Sequence, residues 1–166
     1  MSIDDLTDTD HRHLRRCLAL AQQALAGGHQ PFGSLLVDAA GQVRFEDHNR
    51  VGEGDPTLHP ELTCVQWAVA NLNAAERAAA TVYTSGEHCP MCSAAHAWAG
   101  LGRIVYVGAA SQLTQWLAEW GVRDMPVNCL PISVIAPGVP LTGPVPVYEA
   151  QLKGLYEQAF RPRDRG

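Results

Sequence analysis

From about Asp8 to Ala26 the apolar residues Leu14, Cys17, Leu18, Ala21 and Leu25 recur at helical spacing, and Gly27-Gly28 follows as a stop signal. The pattern then changes. Phe32-Gly33-Ser34-Leu35-Leu36-Val37 reads as a strand, Asp38 to Gly41 as a turn, and Val43 to His48 as the hairpin partner. Arg50 to Leu58 carries Gly52, Gly54 and Asp55-Pro56 and reads as a loop. Pro60 opens a helix that runs to about Ala70 or Leu72, since proline suits the first helical turn. Thr81 to Thr84 is a short buried strand, and Gly86 to Cys89 turns into a second helix from Pro90 to about Ala99. A strand over Arg103 to Val107, a helix over Gln112 to Glu119 and a last strand over Ile132 to Ile135 follow. The proline-rich stretch Pro137 to Pro146 leads into a C-terminal helix from about Tyr148 to Phe160. A helix and a hairpin followed by alternating helices and strands predict a layered α/β domain around a mixed sheet of five strands. No repeat or linker divides the 166 residues, so one domain over 1–166, with a C-terminal helical segment from about 147, is expected.

Composition supports a globular chain, with 46% hydrophobic and 17% charged residues. The apolar runs are too short to span a bilayer. The start, Met1-Ser2-Ile3-Asp4-Asp5, lacks the apolar core of a secretory signal, so a cytoplasmic location is expected and a membrane partner is not. The formal net charge is −5 and Lys153 is the only lysine. A protein that grips a long nucleic acid needs a basic face, which this sequence does not offer. Arg161, Arg163 and Arg165 read as a frayed end. Five cysteines without an export signal read as reduced thiols or metal ligands.

Two short motifs carry the candidate chemistry: His59-Pro60-Glu61 at a helix start, and Cys89-Pro90-Met91-Cys92 where a buried strand turns into the next helix. Each alone is weak, because a Cys-x-x-Cys also serves redox pairs and structural zinc sites. Together they offer one imidazole (His59) and two thiolates (Cys89 and Cys92), the three-ligand set that leaves a catalytic zinc with a fourth position for water. A helix start also favours the negative charge of the sulfurs. Glu61 stands two residues from His59, close enough to exchange protons with that water without binding the ion.

With these residues in view, the chain resembles the cytidine deaminase superfamily, whose His-x-Glu and Pro-Cys-x-x-Cys pattern marks zinc deaminases. Pro31 to Val37 looks like that family's first strand. Asp55-Pro56-Thr57-Leu58-His59-Pro60-Glu61 and Tyr83 to Cys92 are similar to its two motifs. The likeness is strongest to guanine and related bacterial nucleobase deaminases, then to tRNA adenosine deaminases. It implies a three-layer α/β/α fold, one Zn2+ per chain, Glu61 as the catalytic proton carrier and a homodimer. The C-terminal segment would lie near a neighbouring active site, with Tyr148 and Tyr156 as pocket closers. Two positions depart from the family: His88 replaces the usual proline before the first cysteine, and Pro60 replaces alanine. Both are expected at the pocket border, with His88 tuning substrate choice or hydrogen-bonding near the leaving group.

Other residues have two readings each. Asn49 is a turn former or the family's substrate contact; Phe32 is core or pocket lining; Trp98 is core or the aromatic that guanine deaminases set against the base. Cys17, Cys64 and Cys129 read as small buried hydrophobes, His96 as a packed helix histidine, and Trp116 with Trp120 as a core stripe. Glu87 is expected to cap or orient the second motif. The resulting expectation is a zinc-dependent hydrolytic deaminase of a small amino-substituted heterocycle: a free base such as guanine or cytosine, a nucleoside, or a triazine or pterin. Its competitors are a tRNA adenosine deaminase, a non-catalytic zinc-stabilised binding module and a disulfide oxidoreductase.

Overall fold

The computed structural model describes residues 2–122 and 125–162, so Arg163 and Arg165 of the basic tail lie outside the described residues. Its centre is a five-stranded sheet in the order β2-β1-β3-β4-β5: β1 Gly33–Val37, β2 Val43–His48, β3 Thr81–Gly86, β4 Arg103–Gly108 and β5 Leu141–Thr142. β1 runs antiparallel to both β2 and β3, while β3, β4 and β5 are mutually parallel. The sheet is therefore mixed, as the sequence predicts. Every residue of β1 is buried, whereas β2 exposes much of its length, which is the difference between an inner and an edge strand.

Alternate residues of the inner strands face two cores. Leu35, Val37, Tyr83, Val105 and Val107 pack with α1 (Asp8–Ala26), α5 (Ala110–Glu119) and α7 (Glu149–Phe160). Leu36, Val82, Ile104 and Tyr106 pack against the other helices, α2 (Pro60–Asn71) and α4 (Pro90–Ala99) among them. Helices thus cover both faces of the sheet, giving three layers. α1 lies unusually close to β1: a Cβ on Gly33 would stand 2.4 Å from Leu20 Cβ and 2.5 Å from the Cys17 carbonyl oxygen. Only glycine permits that approach. No helix among the described residues is long and apolar enough to cross a membrane.

Two elements differ from expectation. Ile132–Ile135 is a single helical turn, α6, and the sheet edge is taken by Leu141–Thr142, paired with Ile104 and Val105. A four-residue apolar run carries no periodicity that separates a turn of helix from a strand. Its burial repeats at Ile132 and Ala136 while Val134 points to solvent, which is helical spacing. The short helix α3 (Ala74–Ala79) was not foreseen, although its signal was present. Asn73 and Glu76 form a reciprocal capping box, with N–H to side-chain distances of 3.0 and 2.7 Å.

A buried polar cluster ties α1 to the sheet. Asp10 accepts hydrogen bonds from Thr7, Tyr83 and Arg103, the last at 2.8 Å. Burial alone would raise the Asp10 pKa, but hydrogen bonds from Thr7 and Tyr83 and the Arg103 charge outweigh it and hold the carboxyl at about 2. A depressed carboxylate stabilises the fold above its unfolded pKa of about 4 and loses that contribution as pH falls towards about 2. Urea melts across that window should show an acid-labile contribution of about 2 kcal/mol, and it should vanish in Asp10→Asn.

Candidate active site

Both motif residues that begin a helix occupy the same structural position. His59 is the N-cap of α2 with Pro60 at its first turn, and Cys89 is the N-cap of α4 with Pro90 at its first turn. Proline loses nothing there, since a first-turn N–H has no helical acceptor. The segment before α2 is held by an Asp55 turn, whose Oδ1 accepts from the Thr57 amide at 2.8 Å and its hydroxyl at 2.7 Å. Within α2, the Thr63 hydroxyl donates to Asp47 Oδ2 at 2.8 Å, fastening the helix start to the end of β2. Arg50 donates to the same Asp47 oxygen at 3.1 Å.

These restraints bring His59, Cys89 and Cys92 into one cluster, the group of possible metal-binding side chains found among the described residues. His59 Nδ1 lies 3.6 Å from Cys89 Sγ and 3.7 Å from Cys92 Sγ, and the two sulfurs are 3.6 Å apart. Tetrahedral zinc with bonds of about 2.3 Å to sulfur and about 2.0 Å to nitrogen requires S···S and S···N edges of roughly 3.5 to 3.8 Å. The donor set and its spacing fit zinc. The Cys89 thiol is pulled down to about 4 by its hydrogen bonds with Cys92 and His59, against the effect of burial, so it reads as a ready thiolate.

Glu61 is buried on the first turn of α2. Its Oε1 accepts from Thr84 Oγ1 at 3.2 Å, and Thr84 Oγ1 accepts in turn from Ser34 Oγ at 2.9 Å. This chain runs across β3 and β1 and fixes the carboxyl in place. Burial pushes Glu61 up to about 7, partly offset by His59. A carboxyl held near neutrality can both accept and release a proton.

His59, Glu61 and Cys89 share a cavity of about 80 Å3 with Gln30, Phe32 and Glu87, walled further by Leu113, Met125 and Cys129. Drug-sized pockets run from about 300 Å3 upwards, so this one suits a single small ring system. Phe32 lines it, backed by Tyr156 and Phe160 at ring distances of 5.2 and 6.4 Å. Cys129, expected to be a small buried hydrophobe, is half-buried and lines the cavity, whereas Cys17 and Cys64 are core residues. Gln30, Leu113 and Met125 were missed, because their place depends on where distant segments pass.

Other expected residues sit elsewhere. Trp98 is 90% exposed beside a shallow groove with Ala94, Ala97 and Leu101, and it does not reach this cavity. Six residues at ~100° each carry it some 240° around α4 from Cys92, away from the ligand face. His88 is buried against His96 at a ring distance of 5.3 Å and is not among the lining residues. Extended backbone turns neighbouring side chains to opposite sides, so Cys89 takes the site and His88 the interior. His96 donates to the Gly102 carbonyl at 2.8 Å as a packed helix residue. Pro60 is buried, and Asn49 is buried with Oδ1 accepting from the Val51 amide at 3.1 Å and Nδ2 without a partner. Tyr156 is core, and Tyr148 lies against His11 and Arg15 of α1, so neither closes the cavity of its own chain.

Residues 7–108 match the family model described as the cytidine and deoxycytidylate deaminase zinc-binding region. The chain is 37% identical over 106 residues to a protein of Schizosaccharomyces pombe named "Probable cytosine deaminase", covering 64% of each chain. It is 31% identical over 109 residues to a tRNA-specific adenosine deaminase of Haemophilus influenzae, covering 65% of this chain and 62% of that one. These matches span just under two thirds of the length of the relatives. In structure it resembles guanine deaminase from Bacillus subtilis with a TM-score of 0.58 and 27% identity, covering 76% of this chain and 83% of that one.

Elemental analysis of purified protein should find about one zinc per chain. His59→Ala and Cys92→Ser should each lose most of it, and chelation should lower the melting temperature of the parent protein, because ligand binding adds to folding stability.

Proposed function

The chain belongs to the cytidine and deoxycytidylate deaminase zinc-binding family, and from that premise we propose a hydrolytic deaminase that releases ammonia from a free nucleobase such as guanine or cytosine. The observation that carries the reading is the His59, Cys89 and Cys92 triangle with buried Glu61 in the same small cavity. Zinc held by those three residues would supply an acidified water as nucleophile. Glu61 takes one proton from that water and delivers it to a ring nitrogen. As the water oxygen bonds to the amino-bearing carbon and the C–N bond breaks, Glu61 passes the second water proton to the departing amine. Thr84 and Ser34 keep the carboxyl oriented through both transfers.

Phe32 offers an aromatic surface to the planar ring. A net charge of −5, with Lys153 the only lysine, favours a free base over the anticodon loop of a tRNA. A non-catalytic zinc module would have no use for Glu61 inside the cavity. We extend the proposal to a homodimer, because α4 leaves Met91 and Trp98 exposed and Trp98 lines a shallow groove with Ile135 and Ala136, an apolar surface that a second copy would cover. A reducing compartment such as the cytoplasm suits its free thiols.

An ammonia-release screen over guanine, cytosine, adenine, their nucleosides and triazine analogues should identify a free base as the preferred substrate. Glu61→Gln should retain zinc and lose turnover by roughly a thousandfold or more, as removal of a proton carrier in such sites does. Zinc-loaded protein inert towards every base would refute the reading. Sedimentation equilibrium should find a dimer that Trp98→Glu shifts to monomer.

A further inference from the structure

Glu87 follows β3 immediately before the ligand turn, and its carboxylate joins two separate elements. One oxygen accepts from the amide of Ala110, the first residue of α5, at 2.7 Å. The other accepts from the amide of Ile132, the first residue of α6, at 2.8 Å. The Glu87 backbone is itself fixed, because its amide donates to the Gly108 carbonyl at 2.7 Å and prolongs the pairing of β3 with β4. A rigid post therefore holds both ends of the stretch from Ala110 to Ile132.

That stretch supplies Leu113, Met125 and Cys129 to the cavity. Trp116 and Leu117 anchor its helix in the core, but its later part leaves Met125, Val127 and Leu130 exposed, so little packing presses that part inwards. We propose that Glu87 is a positioning residue: by fixing both ends of this wall it sets how closely the substrate ring is held beside the zinc ligands, without contributing to metal affinity. Glutamate is suited to the role because an ionised carboxylate accepts at both oxygens, and hydrogen bonds to a charged acceptor are stronger than neutral ones. Glutamine has the same shape but only one accepting oxygen. It turns an N–H donor towards one of the two backbone amides, leaving a pair of donors face to face.

The effect on kinetics rests on the deaminase reading; the anchoring of the wall does not. Hydrogen exchange followed by mass spectrometry on zinc-loaded Glu87→Gln should show peptides covering 110–113 and 129–135 exchanging about tenfold faster, the loss expected for one charge-assisted hydrogen bond. Peptides from β1 and β3 should be unchanged and the zinc content equal to that of the parent. On the base found by the screen, KM should rise about tenfold with kcat within about threefold, the signature of lost ring positioning. Unchanged exchange in the wall peptides, acceleration spread evenly over the sheet, or loss of zinc would each overturn the proposal. If Glu87→Gln does not fold, the same measurements on Glu87→Asp, which keeps both acceptors one methylene short, decide by the same criteria. A parent enzyme that deaminates none of the bases would sink the deaminase reading while the exchange result still decided the anchoring.

Discussion

Everything in the site follows from one spatial requirement: an imidazole nitrogen and two sulfurs must stand about equally far from one another, and they do so at 3.6 to 3.7 Å. The three side chains lie at the starts of two helices separated by α3 and β3, so local structure alone cannot satisfy the requirement. α2 and α4 pack against each other on one face of the sheet, and their N-terminal ends meet. The Thr63–Asp47 bond holds one start, and the continuation of β3 through Glu87 holds the other. The inner strands give this arrangement its stiffness, because they are buried on both faces and paired on both sides.

Burial of Glu61 has two effects that work together. It removes the carboxyl from bulk water, which raises its proton affinity, and it sets that carboxyl in the wall of the cavity beside His59 and Cys89. A buried carboxyl without partners would destabilise the fold. The hydroxyls of Thr84 and Ser34 solve this with a short chain through the sheet itself. The same side chains that link β1 to β3 therefore also hold the Glu61 carboxyl in place.

The sequence made the His59, Cys89 and Cys92 cluster legible because it is encoded in two local motifs, each fixed to a helix start by its own residues. The helices, hairpin and inner strands were legible for the same reason: apolar period and turn residues are short-range signals. What escaped depends on long-range packing. Glu87 was expected to serve its own motif, yet its partners lie 23 and 45 residues further along. Trp98 was placed near the base by analogy, but its turn of α4 faces away from the ligands. Residues 132–135 had the composition of a strand, and only the arrival of Leu141 and Thr142 at the β4 edge decided against it. Cys129 and Met125 reach the cavity through a segment with no periodic pattern at all.

The recurrence of a ligand followed by proline, once at His59-Pro60 and again at Cys89-Pro90, has a bearing on how the site comes to be loaded. A locked φ one residue beyond each donor narrows the orientations that the donor can sample even in the unfolded chain. Less ordering entropy is then left to lose when the three side chains close on an ion.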